Sequence, residues 1–417
     1  MQSHMPQNIA SLLSTGSKTK NGDARRASSG VLNRRGLAEF FGPSHVFCGG
    51  NAIEELNSLV RDFSSEYVLV VADQHVLGNE KFRAALGTLS TSRRVDIAEH
   101  DGSEPSIAQA MRLKDQAKGT ADLIVAVGGG STIDIAKALA IASRAGTRSL
   151  SSFEGANRID FEPVPIVAVP TTAGTGSEVT GSCVLTDYEA GRKISIRSPK
   201  LQPKLALLDP GFLPSVPRSV IRATGIDALA HAVEAYFSSS GNTVTDRLAL
   251  GALALIARSI TKYYSDPSDS EACTGMAVGS CMAGMAFNSA RVGVAHAIAS
   301  AIGPLTGLSH GMCVGLALPS ALRTNSKSLG PSDQKDLLFH AGLLGSLNKA
   351  TWGQDLLDWL TNLYHQLDFP ITAVAAGHPF DIDDQLLNNI VNSGRLETNP
   401  IPIDVPELRE LLRTIRG

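Results

Sequence analysis

The sequence predicts an α/β domain on a parallel, Rossmann-like sheet, followed by an all-helical domain. Three observations carry this expectation. In the first half, apolar runs such as EYVLVVAD, ADLIVAVGGG and VPIVAVPTT alternate with helical segments. They lack the strict polar–apolar alternation of a strand with one wet face, so they fit a sheet covered on both sides. After about Pro214 such runs stop, and Ala- and Leu-rich helical patterns take over. At 417 residues the chain also exceeds the size at which one core stops growing, so two domains are expected.

In order, HVFCGG reads as a short strand stopped by glycine, and NAIEELNSLVRDF as an amphipathic helix. EYVLVVAD is a buried strand ending in an acid, EKFRAALGTL a helix, RRVDIAEHD a strand, and SIAQAMRLKDQAKG a helix ended by glycine. ADLIVAVGGG runs directly into STIDIAKALAIASR, and VPIVAVPTT is again a strand. The helical part reads as IRATGIDALAHAVEAYFS, TDRLALGALALIARSITKYY, and one long small-residue run from Cys273 to Ile302. HGMCVGLALPSALRTN, DLLFHAGLLGSL, GQDLLDWLTNLYHQL and PELRELLRTI follow. The boundary is expected in LDPGFLPSVP, dividing 39–213 from 214–417. Residues 1–38 are Ser-, Asn-, Lys- and Arg-rich and read as a flexible extension, with an organelle transit peptide as the other reading.

Hydrophobic residues make up 43% of the chain and charged ones 18%, and the net charge is −3. That balance argues against nucleic acid or an anionic membrane as main partner. No apolar run approaches the roughly 18 residues of a membrane span. The five cysteines are scattered and form no CxxC, which fits a reducing cytoplasm.

Chemistry concentrates in ATGIDALAHAVEAY. Asp227 and His231 stand four residues apart and so share one helix face, set among Ala, Leu and Val. His296 and His310 could complete a four-ligand site of three imidazoles and one carboxylate, suited to a divalent first-row metal. Taken singly, each histidine could instead be a satisfied core residue.

Gly128-Gly129-Gly130-Ser131 joins a buried strand to a helix, where glycines admit phosphate and the helix start offers free N–H groups. Pro170 to Glu178, PTTAGTGSE, is a second glycine- and hydroxyl-rich loop after a strand. Two such loops make a dinucleotide cradle, though neither is a GxGxxG fingerprint. Asp73, ending a strand, either accepts from ribose hydroxyls and favours NAD over NADP, or caps a helix.

SHVFCGGNAIEEL, VADQHVLGN, VGGGSTIDIAKALA, VPTTAGTGSEVT, ATGIDALAHAVEAY and SHGMCVGLALP together resemble the iron-dependent (group III) alcohol dehydrogenases. The likeness runs from about residue 40 to the C-terminus, including ETNPIP. It implies a dinucleotide-binding α/β domain, a dehydroquinate synthase-like helical domain holding the metal, and a cleft between them. It implies Asp227, His231, His296 and His310 as ligands of Fe(II), or of Zn in some members. Gly129, Gly130 and Ser131 would hold the pyrophosphate. Thr171, Thr172, Thr175, Thr180 and Lys193 match dinucleotide-contacting positions, with Asp134 beneath the phosphate loop. NAD(H) is the expected cofactor and NADP(H) the lesser one. A small aldehyde or alcohol is the expected substrate, and a homodimer or larger the expected assembly.

Two departures from the family pattern stand out. Ser300 occupies the place of a histidine that often follows the His296 position by four residues. Arg291 and Arg395 lie in stretches that border the substrate pocket, with Phe287 as an apolar wall. Two guanidiniums suggest an anionic substrate tail such as that of phosphonoacetaldehyde, succinic semialdehyde or sulfoacetaldehyde. They could equally be surface arginines paired with acids such as Glu397. The other readings are a general short-chain alcohol dehydrogenase, a three-ligand zinc enzyme of the glycerol dehydrogenase or dehydroquinate synthase kind, and a nucleotide-binding regulatory protein with a structural metal.

Overall fold

Strand β2 (Tyr67–Asp73) and strand β4 (Leu123–Gly128) are apolar along their length because both faces are covered. Val68, Val70, Leu123 and Val125 enter one core, while Leu69, Val71, Ile124 and Ala126 enter another. The computed structural model describes residues 40–42, 45–343 and 352–417. The expected extension 1–38 and the end of the DLLFHAGLLGSL segment lie outside these residues.

Six strands form a wholly parallel sheet. Besides β2 and β4 they are β1 (His45–Cys48), β3 (Arg94–His100), β6 (Ile166–Pro170) and β9 (Leu205–Leu208), in the order β1-β9-β6-β4-β2-β3. Helices α1 (Glu80–Leu89), α2 (Ile107–Gln116) and α3 (Gly130–Ala142) connect them. Asn79 and Ser106 cap the first two with side-chain oxygens.

Some elements differ from expectation. NAIEELNSLVRDF is not one helix but short 3₁₀ and α turns between Ala52 and Phe63. Its buried Ile53 and Leu56 are three apart, a spacing that 3₁₀ geometry aligns on one side. A second sheet of three strands, β5 (Gly155–Ala156), β8 (Arg192–Arg197) and β7 (Ser182–Asp187), was not expected, nor was β9. β7 and β8 form an antiparallel hairpin.

The last strand ends at Leu208, and a 3₁₀ segment, Pro210–Ser215, leads into the helices. These are α4 (Arg218–Phe237), α5 (Thr243–Ser265), α6 (Ser270–Ala290), α7 (Val294–Thr306) and α8 (His310–Asn325). α9 (Pro331–His340), α10 (Trp352–Gln366), α11 (Asp384–Val391) and α12 (Val405–Arg416) complete the set. α4 is the axis: it packs on α5, α6 and α8 and is buried on all sides from Ile226 to Phe237. α11 was not expected.

The long small-residue run breaks into α6 and α7. Arg291 stands at the break with φ 71° and ψ 178°, a region that L side chains rarely occupy. Thr398 Oγ1 donates to Val292 O at 2.7 Å, pinning the break from the C-terminal segment.

The sheet half and the helical half meet without slack. A Cβ on Gly284 of α6 would lie 2.8 Å from Gly176 Cα, and Gly176 itself has φ 62°. In an open helix, Gly→Ala gains about 1 kcal/mol from backbone entropy. At Gly284 overpacking costs about 1–3 kcal/mol and decides the sign. Gly284→Ala is therefore expected to lower the thermal midpoint. Gly87→Ala, in α1 with open space around it, is expected to raise it. Paired thermal melts check both signs.

Candidate metal centre and dinucleotide cleft

A carboxylate and two imidazoles are buried together in the helical half. Asp227 and His231 come from α4, one turn apart, and His296 from the first turn of α7. One ligand atom from each lies within 4.8 Å of the others. Their exposures are 2%, 5% and 3%.

Each ring is aimed by its second nitrogen. His231 Nδ1 lies 3.3 Å from Gly174 O, and His296 Nδ1 2.5 Å from Glu234 Oε2. Such bonds fix the tautomer and leave the other nitrogen for a metal. His296 Nε2 then faces Asp227 Oδ1 at 3.4 Å, yet neither atom has a hydrogen-bond partner. Two buried lone-pair atoms without a partner, a ring nitrogen and a carboxylate oxygen, are what a divalent cation would satisfy, so the donor set fits one. His310, at the start of α8, places Nε2 3.9 Å from the same Asp227 oxygen and is more exposed. It stands beside the three-residue group rather than within it.

The protonation pattern follows from the geometry. Burial pushes His231 down to about 4, against the pull of Asp227. Burial also opposes a charge on His296, but the two carboxylates beside it, Asp227 and Glu234, win and, with no cation bound, raise it to about 9. Burial would raise Asp227, yet the surrounding histidines hold it below the usual carboxylate range.

Glu234 was not singled out in the sequence. It lies three residues after His231 on the same helix, a spacing that puts it on the same face. Its Oε1 accepts from Ala295 N at 2.7 Å, so one side chain caps α7 and orients the histidine that α7 carries. Asn399 accepts from Val294 N at 3.2 Å and exchanges two hydrogen bonds with Asn325. The ETNPIP segment thus buttresses the metal helix.

Phe287 stacks on His231 with centroids 4.1 Å apart and closes one wall with an apolar face. Ser300, one turn beyond His296, donates its hydroxyl to His296 O at 2.9 Å. Phe287, Arg291, Ser300 and Arg395 all line one cleft of about 2510 Å³, together with Asp227, His231, His296 and His310. Neither Arg291 nor Arg395 forms an ion pair with a described residue, so the expected alternative pairing with Glu397 is not seen.

Gly130, Ser131, Asp134, Thr175, Thr180 and Lys193 line the same cleft. Gly129 N-caps α3, and a Cβ there would meet Thr172 at 3.3 Å. A Cβ on Gly130 would overlap Thr175 at 2.6 Å. The two loops are therefore packed together at the carboxyl ends of β4 and β6. Gly129, Thr171 and Thr172 are not among the cleft-lining residues, and Thr171 N bonds Gly128 O. Asp134 accepts from Ser177 Oγ and Val184 N, at 2.7 and 2.9 Å, holding the second loop and β7 to α3. Lys193 pairs with Glu104. Asp73 accepts from His75 N at 2.9 Å and shapes its own turn; α1 is capped by Asn79 instead, which corrects the helix-cap reading of Asp73.

Among the described residues no helix is long and apolar enough to cross a membrane.

Known proteins share this arrangement. The family model described as iron-containing alcohol dehydrogenase matches residues 43–210, and that of the C-terminal part of the Fe-containing family matches residues 221–415. The chain is 32% identical over 292 residues to the NAD-dependent methanol dehydrogenase of Bacillus methanolicus, over 69% of this chain and 76% of that one. It is 37% identical over 295 residues to the 1,3-propanediol dehydrogenase of Citrobacter freundii, with the same two coverages. A crystal structure of 1,3-propanediol oxidoreductase superposes with a TM-score of 0.82 at 30% identity, over 91% of this chain and all of that one. Because the matches span both the sheet half and the metal-ligand helices, the chain belongs to the iron-containing alcohol dehydrogenase family and is an oxidoreductase acting on CH–OH groups.

Proposed function

We propose that the chain reduces a short aldehyde bearing an anionic tail to its alcohol, using NADH and Fe(II). The observation that carries the substrate class is the pair of guanidiniums, Arg291 and Arg395, on the wall of the cleft that holds Asp227, His231 and His296. Both lack an ion-pair partner among the described residues, and Arg291 is held in a strained backbone conformation that only the surrounding structure can maintain. An arginine fork binds carboxylate, phosphonate or sulfonate by paired charge-assisted bonds.

Asp227, His231 and His296 would hold the metal, with His310 as fourth ligand from the cleft side. When bound, Fe(II), or Zn as the lesser choice, supplies Lewis-acid polarisation of the carbonyl, and reduced nicotinamide supplies the hydride. Glu234 keeps His296 turned inward, and Phe287 excludes water beside His231. The α3 N-terminus at Gly130 and Ser131 offers amides to the pyrophosphate. Asp73 at the end of β2 would read the ribose and disfavour a 2'-phosphate. A homodimer or larger assembly is proposed on the family likeness. The free state of all five cysteines supports a reducing, cytoplasmic setting.

A second reading has its own support. Two of the relatives, 32% and 37% identical, are named for methanol and 1,3-propanediol, which carry no charge. On that reading the chain is a general short-chain alcohol dehydrogenase.

His296→Ala is expected to abolish metal retention and turnover. NADH affinity should stay within about twofold, since the described hydrogen bonds and ion pairs of His296 run to Glu234, Asp227 and Ser300 and not to the dinucleotide loops. Metal content after gel filtration and NADH fluorescence titration check this. Full activity after chelation and dialysis would reject the metal-dependent reading.

The wild type is expected to prefer NADH. A carboxylate about 4 Å from a 2'-phosphate costs roughly 1–4 kcal/mol, or one to three orders of magnitude in affinity. Asp73→Gly should narrow that gap, read as the ratio of NADH to NADPH dissociation constants. An unchanged ratio would confine Asp73 to its turn.

Arg291→Ala and Arg395→Ala are each expected to raise KM for an anionic aldehyde by about ten- to a hundredfold, the worth of one charge-assisted bond. KM for butyraldehyde should hardly move. Equal losses on phosphonoacetaldehyde, succinic semialdehyde and butyraldehyde would mean a structural role. A wild type that prefers butyraldehyde would return the chain to the general short-chain class.

A further inference from the structure

The PTTAGTGSE loop touches both halves of the site. Toward the sheet, Thr175 packs against Gly130, which starts the phosphate-facing helix α3. Toward the helices, the Gly174 carbonyl lies 3.3 Å from His231 Nδ1. A Cβ on Gly174 would lie 2.5 Å from Thr224 Cβ of α4, and one on Gly176 would lie 2.5 Å from Gly284 Cα of α6. Four residues therefore carry a dinucleotide wall at one end and a metal-ligand acceptor at the other.

One side chain fixes this segment. Lys137 of α3 is fully buried, with an exposure of 0%. Its Nζ donates to Ser177 O at 2.8 Å, Ser177 Oγ at 2.9 Å and Ser182 O at 2.8 Å, with Thr180 Oγ1 at 3.3 Å. Asp134, one turn earlier, takes the Ser177 hydroxyl at 2.7 Å and stands 3.8 Å from the ammonium. Ser177 N in turn donates to Thr175 Oγ1 at 3.2 Å. A buried ammonium needs this many acceptors to offset its lost hydration. An apolar side chain would fill the space more cheaply, so the charge is kept for what it holds in place.

We infer that Lys137 is a positioning residue for the metal ligand His231 as well as for the dinucleotide wall, acting through the Gly174–Ser177 segment. This rests on the proposed reading of His231 as a ligand. The route is short: Lys137 holds Ser177, Ser177 holds Thr175 and the turn at Gly176, and that turn sets the Gly174 carbonyl against His231 Nδ1. Groups that orient a metal-bound histidine through its second nitrogen ordinarily matter about ten- to a hundredfold in metal affinity. No described hydrogen bond or ion pair links Lys137 directly to Asp227, His231 or His296. An effect on the metal must therefore pass through the loop.

The test is Lys137→Met in the full chain, read by cobalt(II) titration without NADH. Visible absorption reports the ligand environment, and a chromophoric chelator in competition gives the dissociation constant. Metal affinity is expected to fall about tenfold or more, with an altered cobalt spectrum. NADH affinity, from fluorescence titration of the metal-free protein, is expected to fall alongside. A wild type that binds no cobalt would reject the ligand reading itself. A wild type that binds it, with Lys137→Met unchanged in cobalt affinity and spectrum, would overturn the positioning role of Lys137 alone. Should Lys137→Met fail to fold, Ser177→Ala removes the side-chain bonds to Asp134 and Lys137 while sparing the carbonyl. It is expected to shift the cobalt affinity and spectrum in the same direction, and an unchanged site there would equally overturn the inference.

Discussion

Asp227 is an ionised carboxylate at the centre of a helix bundle, and the helical half is arranged around the cost of keeping it there. A lone buried charge of this kind costs several kcal/mol even after relaxation. Three imidazoles converge on it, and they hold its pKa low against burial. The protein pairs alone do not finish the task, since one oxygen of Asp227 and one nitrogen of His296 stay unsatisfied. A site left incomplete by its own side chains is a site built for a cation, which ties the stability of this core to the chemistry it performs.

The same constraint explains the composition. Imidazoles from α4 and α7 stack at 4.4 Å, each ring reaching toward the other from its own helix. Buried alanines, among them Ala228, Ala230, Ala295 and Ala297, flank the ligands along both helices. A ligand in the first turn of α7 demands support at that helix end. Glu234 and Asn399 supply it by taking the N–H groups of Ala295 and Val294, which an α7 start inside the core would leave orphaned. Capping and ligand orientation are one interaction, carried by the two oxygens of Glu234.

The legible parts of this protein are those set by local pattern. Apolar runs identify β2, β4 and β6, because a parallel strand covered on both faces has no polar side. The four-residue spacing of Asp227 and His231 announces a shared helix face. What escapes is set by contacts distant in sequence. The β7–β8 hairpin alternates as SCVLTD and RKISIR, a signal that the dominant parallel pattern hid. The break at Arg291 has no proline or helix-stop motif; it exists because Thr398, a hundred residues on, pins Val292. Glu234 has the right spacing but reads as an ordinary helical acid until His296 is seen against it. Asp73 reads equally as cap or ribose acceptor; the position of Asn79 at the start of α1 removes the cap, and Asp73 itself is not among the residues that line the cleft.

Charge in the cleft gives the substrate proposal its physical basis. Two cleft-lining cations are already balanced, Arg192 by Glu154 and Lys193 by Glu104. Arg197, Arg291 and Arg395 have no ion-pair partner among the described residues. A dinucleotide's pyrophosphate can answer positive charge on the sheet side, where Arg197 ends β8. Arg291 and Arg395 stand elsewhere. Arg291 lies between α6 and α7, five residues before His296, and Arg395 precedes the segment that buttresses α7. Both therefore stand on the helical wall of the cleft, whereas Gly130 and Ser131 at the start of α3 stand on the sheet wall. An unpaired arginine held in a strained backbone, on the wall of the cleft that the metal ligands also line, is the physical ground for proposing that the substrate brings an anion.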